Sequence, residues 1–499
     1  MNQVKNIAVI GAGPAGLTAA YLLCKDGHRV VVYEKDPKYV GGISRTESYM
    51  GYHFDIGGHR FFSKSKEVED FWTEILGDDM IERPRSSRIY YNKKFFSYPL
   101  MAMEALQKLG VIESGLCIIS YLKAKLFPIK NPLNFEEWVT NHFGKRLFNI
   151  FFKTYTEKVW GIPCSEISAD WAAQRIKGLS LSSAIKNAFV KPGNGGDKDK
   201  IIKTLIDTFR YPRLGPGMMW EACAEKIRGF GVEIKMNSGV KGLSLENGRW
   251  AVDGENNSSE GGFDYVVSSA AIRDLIPHIY PVVSDKALQA SQQLNYRDFL
   301  TVVLILKDKN VFTDNWIYIH DPSVKVGRVQ NFKSWSPYMV PDASMACYGL
   351  EYFCFEGDGM WTSLNDDLIT LGKNEMETIG LGKAADVLHG YVVRQPKAYP
   401  VYDKMYKDHV NTIREELHHF PGLYLVGRNG MHKYNNQDHS MMTAMLAARN
   451  ITAGKELYNL WNVNADAVYH EGGERGAEEG GRMIPRKVEN KTPVAISIL

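Results

Sequence analysis

The chain has 499 residues, a formal net charge of +3, 44% apolar residues and 23% charged residues. That balance excludes a chain disordered throughout, gives no electrostatic reason to expect nucleic acid, and provides enough apolar material for two or three cores. No apolar run reaches the ~18 residues of a membrane span, and cysteines 24, 117, 164, 223, 347 and 354 lack paired or metal-ligand spacing. Reduced thiols in a cytoplasm and the absence of a metal site are the expectations.

The first apolar segment, residues 4–10, is too short for a secretory leader and reads as a strand. In "NIAVIGAGPAGLTAAYLL" a β-branched run meets Gly11, Gly13 and Gly16 and then an apolar-periodic helix. Strand, glycine turn and helix in that order form a dinucleotide fingerprint. Gly11 makes the tight turn, Gly13 lets backbone approach a pyrophosphate, and Gly16 lets the helix lie close on the sheet, with its N-terminus toward the phosphates. The strand "RVVVYEK" then ends at Glu34, at the distance expected of a ribose acceptor.

Two further glycine clusters follow. "VGGISRT" supplies Gly41, Gly42 and Arg45, and "FDIGGHRFFSK" supplies Gly57, Gly58 and His59, where bare backbone suits a flat ring lying against the main chain. Residues 101–190 are mainly helical in pattern, 218–230 form an amphipathic helix, and 232–271 read as short strands about an Asn247-Gly248 turn. Apolar stretches between 300 and 355 read as antiparallel strands. A Gly- and charge-rich tail over 462–499 is expected to be flexible and outside the core.

The predicted class is α/β, with a Rossmann-like dinucleotide-binding part whose fingerprint alone does not separate a nicotinamide from a flavin, a mainly helical lobe and an antiparallel sheet lobe for substrate. The corresponding boundaries are 1–100, 205–275 and 420–455 for the first, 101–204 for the second and 276–419 for the third.

"VGGISRT" resembles the extension found in FAD proteins of the glutathione reductase type. Six blocks in consistent order, "GGHRFFSK", "YTEKVWGIPCSEISADWAAQRI", "FRYPRLGPGMMWEA", "GRVQNFKSWSPY", "AYPVYDKMY" and "GRNGMHKYNNQDHSMM", resemble the flavin-dependent UDP-galactopyranose mutases, in their eukaryotic form more than the bacterial one. The resemblance implies FAD, used in its reduced form, with NAD(P)H as a possible reductant. It also implies an isomerase acting on a small nucleotide- or diphosphate-linked sugar in cell-surface polysaccharide biosynthesis. In that family the reduced flavin attacks the anomeric carbon through a ring nitrogen, and the N-glycosyl adduct lets pyranose and furanose interconvert.

Carried over by position, the resemblance places His59 against the flavin ring and makes Arg175 and Arg328 the two forks that grip a diphosphate. Tyr399 and Tyr434 become hydroxyl donors to the same group, and Trp160 lines the sugar pocket. Gly427 and Arg428 would meet the FAD phosphates and ribityl chain, and Asp438 the polyol. The helix beginning about His439 and Ser440 would aim its dipole at the flavin's pyrimidine end. Since neither arginine is then part of a core, alanine at 175 or 328 should leave the melting temperature unmoved.

The chain departs from the family at two positions. Met101 stands where the family has a uracil-contacting glutamine, and Trp335 where it has a tyrosine, which points to a nucleotide or carrier other than UDP. An oxidoreductase of the amine oxidase and phytoene desaturase type is the alternative on the same fold. It would need an apolar tunnel and no paired arginines.

Overall fold

The computed structural model describes residues 3–98, 100–169, 171, 208–255, 258–464 and 487. Strands Asn6–Ile10 and Arg29–Tyr33 are apolar almost throughout because both faces of their sheet are covered, one by helices and the other in large part by a smaller antiparallel sheet that supplies Leu243, Trp250, Val252 and Phe263. The covered sheet is parallel and five-stranded, in the order Leu423–Leu425, Tyr265–Ser268, Asn6–Ile10, Arg29–Tyr33, Glu233–Lys235. Helices Pro14–Lys25, Pro216–Gly229 and Gln437–Ala453 pack together in its core, so the first and last parts of the chain build one unit. The smaller sheet holds Val240–Glu246, Arg249–Gly254 and Ser259–Phe263, and its turn places Asn247 at φ 50° and Gly248 at φ 75°. Positive φ at both positions is what a two-residue hairpin turn requires, and Asn-Gly supplies it at little steric cost.

The largest sheet has seven strands, ordered Val387–Pro400, Tyr296–Lys307, Met345–Cys354, Arg328–Asn331, Trp316–Ile319, Ser87–Tyr91, Lys94–Ser97. Its long strand Tyr296–Lys307 is buried on both faces. Phe299, Val303 and Ile305 face the core shared with the cofactor part, while Leu300, Val302, Leu304 and Leu306 face a second core under helix Asn365–Thr378. Helices Ala102–Leu109, Val111–Leu126, Phe135–Phe143 and Thr154–Trp160 form the helical region, with a π-helical stretch Phe148–Lys153 between the last two. The polar tail falls outside the described residues except for Asn462–Asn464 and Lys487.

Two expected boundaries shift. The hairpin Ser87–Ser97, placed with the cofactor part, instead joins the seven-stranded sheet through parallel pairing of Ser87–Tyr90 with Trp316–Ile319. Helices Asp285–Gln292 and Tyr406–Glu416, placed with the substrate lobe, supply Ala287, Ala290 and Ile413 to a core with Ile10, Tyr33 and Leu425 of the parallel sheet. A hairpin's alternation looks the same in any sheet, so its partner strand is not written locally.

Candidate active site

The glycine clusters at the start of the chain meet in space. Gly11 adopts φ 91°, and a Cβ on it would stand 2.3 Å from Ser269 Oγ; a Cβ on Gly16 would stand 1.8 Å from the Gly11 carbonyl oxygen. Gly41 donates its N–H to the Ala12 carbonyl at 2.7 Å, and a Cβ on Gly42 would lie 3.4 Å from the Gly13 Cα. The Glu34 carboxylate closes this turn, accepting from Ala12 N–H at 2.6 Å and Asp36 N–H at 2.9 Å, and burial raises its pKa. Arg45 is fixed by Glu47, by Gln395 at 2.7 Å and by the Gly42 carbonyl at 3.2 Å. The turn after strand Leu423–Leu425 completes the set, since a Cβ on Gly427 would meet that of Ala15 at 3.2 Å. This side-chain-free cradle at a helix N-terminus, with a carboxylate at its edge, fits a dinucleotide pyrophosphate and ribose.

A second group of residues stands beyond the cradle. Gly57 turns at φ 86°, and a Cβ there would lie 3.7 Å from His59 Cε1 and 4.0 Å from an Arg328 Nη. His59 Nδ1 is 3.1 Å from the Gly57 carbonyl. A carbonyl only accepts, so Nδ1 carries the proton and Nε2 is an acceptor. Burial, then Arg428 and Arg328, push the His59 pKa down to about 3. Tyr399 and Tyr434 stack at 5.5 Å with an 11° interplanar angle, and the Trp160 ring stands 6.3 and 6.1 Å from them. Burial and the neighbouring Tyr434 push the Tyr399 phenol up to about 12, so it remains a donor.

Arg328 is nearly buried and pairs with the wholly buried Glu351, Nε to Oε2 at 2.7 Å and Nη2 to Oε2 at 2.5 Å. Burial opposes its charge, but Glu351 and the nearby Tyr399 and Tyr155 outweigh that and hold the guanidinium charged. Gln330 donates to the other Glu351 oxygen at 2.5 Å.

The end of the chain closes the site. Ser63 donates to Asp438 at 3.2 Å and Gln437 Nε2 to the Arg60 carbonyl at 3.4 Å, which ties the segment after His59 to helix Gln437–Ala453. Asp438, His439 and Ser440 are all buried in the first turn of that helix, with His439 Nδ1 3.5 Å from Asp438.

Several residues stand elsewhere than expected. Arg428 does not reach toward the cradle. Its guanidinium donates to the carbonyls of Asn435 and Ala398, both at 2.9 Å, and lies 5.4 and 5.1 Å from the Tyr399 and Tyr434 rings. It braces the tyrosine pair. Trp335 is wholly buried among Phe209, Tyr211 and Trp316, and supports Gly58 from behind, where a Cβ would meet its ring at 3.1 Å. Met101 is exposed at the start of helix Ala102–Leu109. Arg175 lies outside the described residues.

The sequence reading missed four contributors. Glu351 is one, and a lone acid inside the apolar strand "ACYGLEYFCF" was its signal, because such a group is buried only with a partner. Arg60 stacks over Trp316 at 3.8 Å and donates to Ser87 at 3.0 Å. Arg297 ties the Trp160 helix to the sheet through the carbonyls of Lys158, Val159 and Phe353. Asp55, wholly buried two residues before Gly57, accepts from Tyr211 and from Thr46 at 3.1 Å, and burial raises its pKa to about 8.

The comparisons bear on the fold and on the N-terminal cradle. Residues 9–75 match the NAD(P)-binding Rossmann-like domain. The curated "Probable UDP-galactopyranose mutase" of Klebsiella pneumoniae is 26% identical over 176 residues, 33% of this chain and 43% of that one. Aligned stretches span half or less of each of the first curated relatives. A protein of Mycobacterium tuberculosis assigned to the flavin-containing monoamine oxidases is 23% identical over 284 residues, 54% of this chain and 58% of that one. The solved structure of reduced UDP-galactopyranose mutase superposes with a TM-score of 0.77 at 22% identity, covering 92% of this chain and 99% of that one. The fold is that of UDP-galactopyranose mutase. The mutase fold is also similar to putrescine oxidase, with a TM-score of 0.61 at 16% identity over 90% of this chain and 99% of that one. Isomerase and oxidase therefore share this architecture, and the polar site has to separate them.

The buried titratable groups set a pH profile for stability. His59 and His320 are held neutral down to about 3 and His432 down to about 4, mainly by burial, so unfolding below about 6.5 takes up protons and stability falls with acid. Asp55 acts in the opposite direction. It keeps its proton up to about 8 in the fold and loses it on unfolding above about pH 4, so its contribution falls across that span and emerges as a net decline above about 6.5, where the histidines no longer take up protons. The melting temperature should peak near about pH 6.5, and Asp55→Asn should flatten the alkaline limb. An equal alkaline decline in parent and variant would show that Asp55 is ionised in the fold.

Proposed function

We propose that the chain is an FAD-dependent isomerase that interconverts the pyranose and furanose forms of a diphosphate-linked sugar. The observation that carries this reading is that Arg328 stands both beside the Gly57–His59 turn and near Tyr399, whose ring stacks on Tyr434. Together they present a fixed cation and two phenols, the donor set an anionic diphosphate takes. Gly11, Gly13, Gly16, Gly41 and Gly42 would hold the FAD pyrophosphate and Glu34 its ribose. Gly57, Gly58 and His59 would back the ring, with Gly427, Asp438, His439 and Ser440 along the ribityl chain. When bound and reduced, FAD supplies the nucleophile for the anomeric carbon.

The chain's own residues do the rest. Arg328 and the two phenols stabilise the diphosphate as a leaving group and keep it nearby for return. His59 stays neutral beside two guanidiniums and offers Nε2 as an acceptor rather than a proton. Trp160, set at a steep angle against the tyrosine pair, excludes water from the sugar. Arg175 is proposed as the second fork on the sequence match alone. The exposed Met101, in place of an amide, favours a nucleotide or carrier other than UDP.

The amine oxidase type of chemistry is the second reading, supported by the likeness to putrescine oxidase. The partly buried guanidiniums of Arg428 and Arg328 near His59 oppose it, since positive charge there disfavours a cationic amine, Arg328 less so because Glu351 offsets its charge. Binding separates the two. In flavin-fluorescence titrations the holoenzyme should bind UDP-, GDP- or TDP-linked sugars and not putrescine. Tyr399→Phe and Tyr434→Phe should each lose a hydrogen bond to a charged group, about 1.5–3 kcal/mol, or about tenfold to a hundredfold in affinity, with FAD content unchanged. Undiminished nucleotide binding in both variants, or tight putrescine binding, contradicts the diphosphate reading.

A further inference from the structure

Helix Val111–Leu126 is held by one face and open on the other. Cys117, Tyr121 and Ala124, at i, i+4 and i+7, are buried, and the helix lies so close to Gly144 that a Cβ there would stand 2.7 Å from the Tyr121 nitrogen. The opposite face carries Ile112 (82% exposed), Ile119 (64%), Leu122 (52%) and Leu126 (73%), and the chain continues into the equally exposed Phe127 (75%). Helical spacing puts Lys123 and Lys125 on either side of this strip. Residues 114–135 include Lys123, Lys125 and Lys130 and no acidic residue, while the flanking Glu113 and Glu136 are already paired with Arg146 and Lys145. No helix among the described residues is long and apolar enough to cross a membrane. The face is therefore suited to lying on a bilayer rather than spanning it.

We infer that this face docks the protein on an anionic lipid surface. Large apolar side chains flanked by lysines are the pattern of an interfacial helix, in which the apolar strip enters the headgroup boundary and the lysines meet lipid phosphates. The charge argues for lipid over a second copy of the chain, because isologous packing of this face would bring the lysines of both copies together with no acid between them. The inference is independent of the reaction at the flavin site.

The test uses the full-length holoenzyme in sedimentation with phosphatidylcholine vesicles, with and without phosphatidylglycerol. Binding is expected to the phosphatidylglycerol vesicles, to weaken as salt rises, and to fall about tenfold or more in Ile119→Ser/Leu122→Ser and in Lys123→Gln/Lys125→Gln. All four side chains are exposed, so FAD content and melting temperature should hold. No binding to the anionic vesicles, or equal binding to the neutral ones, overturns the inference. So does a parent that sediments as an oligomer and that Ile119→Ser/Leu122→Ser converts to monomer without any vesicle binding.

Discussion

Arg328→Ala is expected to lower stability by about 3–5 kcal/mol, because it leaves Glu351 buried without its counter-charge. Glu351 is wholly buried, and its oxygens are taken up by Arg328 and Gln330 on the adjacent strand. This reverses the expectation that an arginine reserved for substrate would leave the melting temperature unmoved. A loss of that size is a large part of the 5–15 kcal/mol that separates most folds from their unfolded chains. Reduced activity in the single variant would therefore not distinguish a lost grip from a damaged sheet.

The pair Arg328→Ala/Glu351→Gln makes that distinction. Neutralising the stranded carboxylate should recover much of the stability while diphosphate binding stays weak, and the double-mutant cycle should show strong coupling. Arg328→Lys should keep the ion pair in part but not the planar fork. Chemical denaturation of FAD-loaded protein checks this. An Arg328→Ala variant as stable as the parent would mean that the ion pair does not hold the strands together.

The dinucleotide cradle was legible because its chemistry is local. Gly11, Gly13 and Gly16 fall between a strand and a helix in the sequence itself, although only Gly16 has its steric reason close by in the chain, at the Gly11 carbonyl, whereas Gly11 meets Ser269 through the fold. Gly41 and Gly42 came from the resemblance to FAD proteins of the glutathione reductase type, and only the fold brings Gly42 against Gly13. The positions of His59, Arg328, Tyr399 and Tyr434 came from resemblance, since nothing in periodicity links residues so far apart in the chain. What remained hidden depends on pairing across strands. Glu351 meets Arg328 through antiparallel register, and Arg428 turns to the carbonyls of Ala398 and Asn435 instead of the cradle. Trp335 read as a ligand contact because a tryptophan's burial in a core and at a pocket wall give the same pattern; Phe209 and Tyr211 decide between them.

The second large effect concerns the redox state of the flavin. If FAD acts as a nucleophile, the oxidised holoenzyme should be inactive and the reduced one active, with no net electrons consumed per turnover. The most direct measurement incubates the dithionite-reduced holoenzyme with a panel of nucleoside-diphosphate sugars and resolves the products by chromatography and mass spectrometry, while oxygen and NAD(P)H are followed in parallel. The account predicts a product of unchanged mass and altered ring form, absent without reduction. A product two hydrogens lighter, formed with stoichiometric consumption of oxygen, would contradict it.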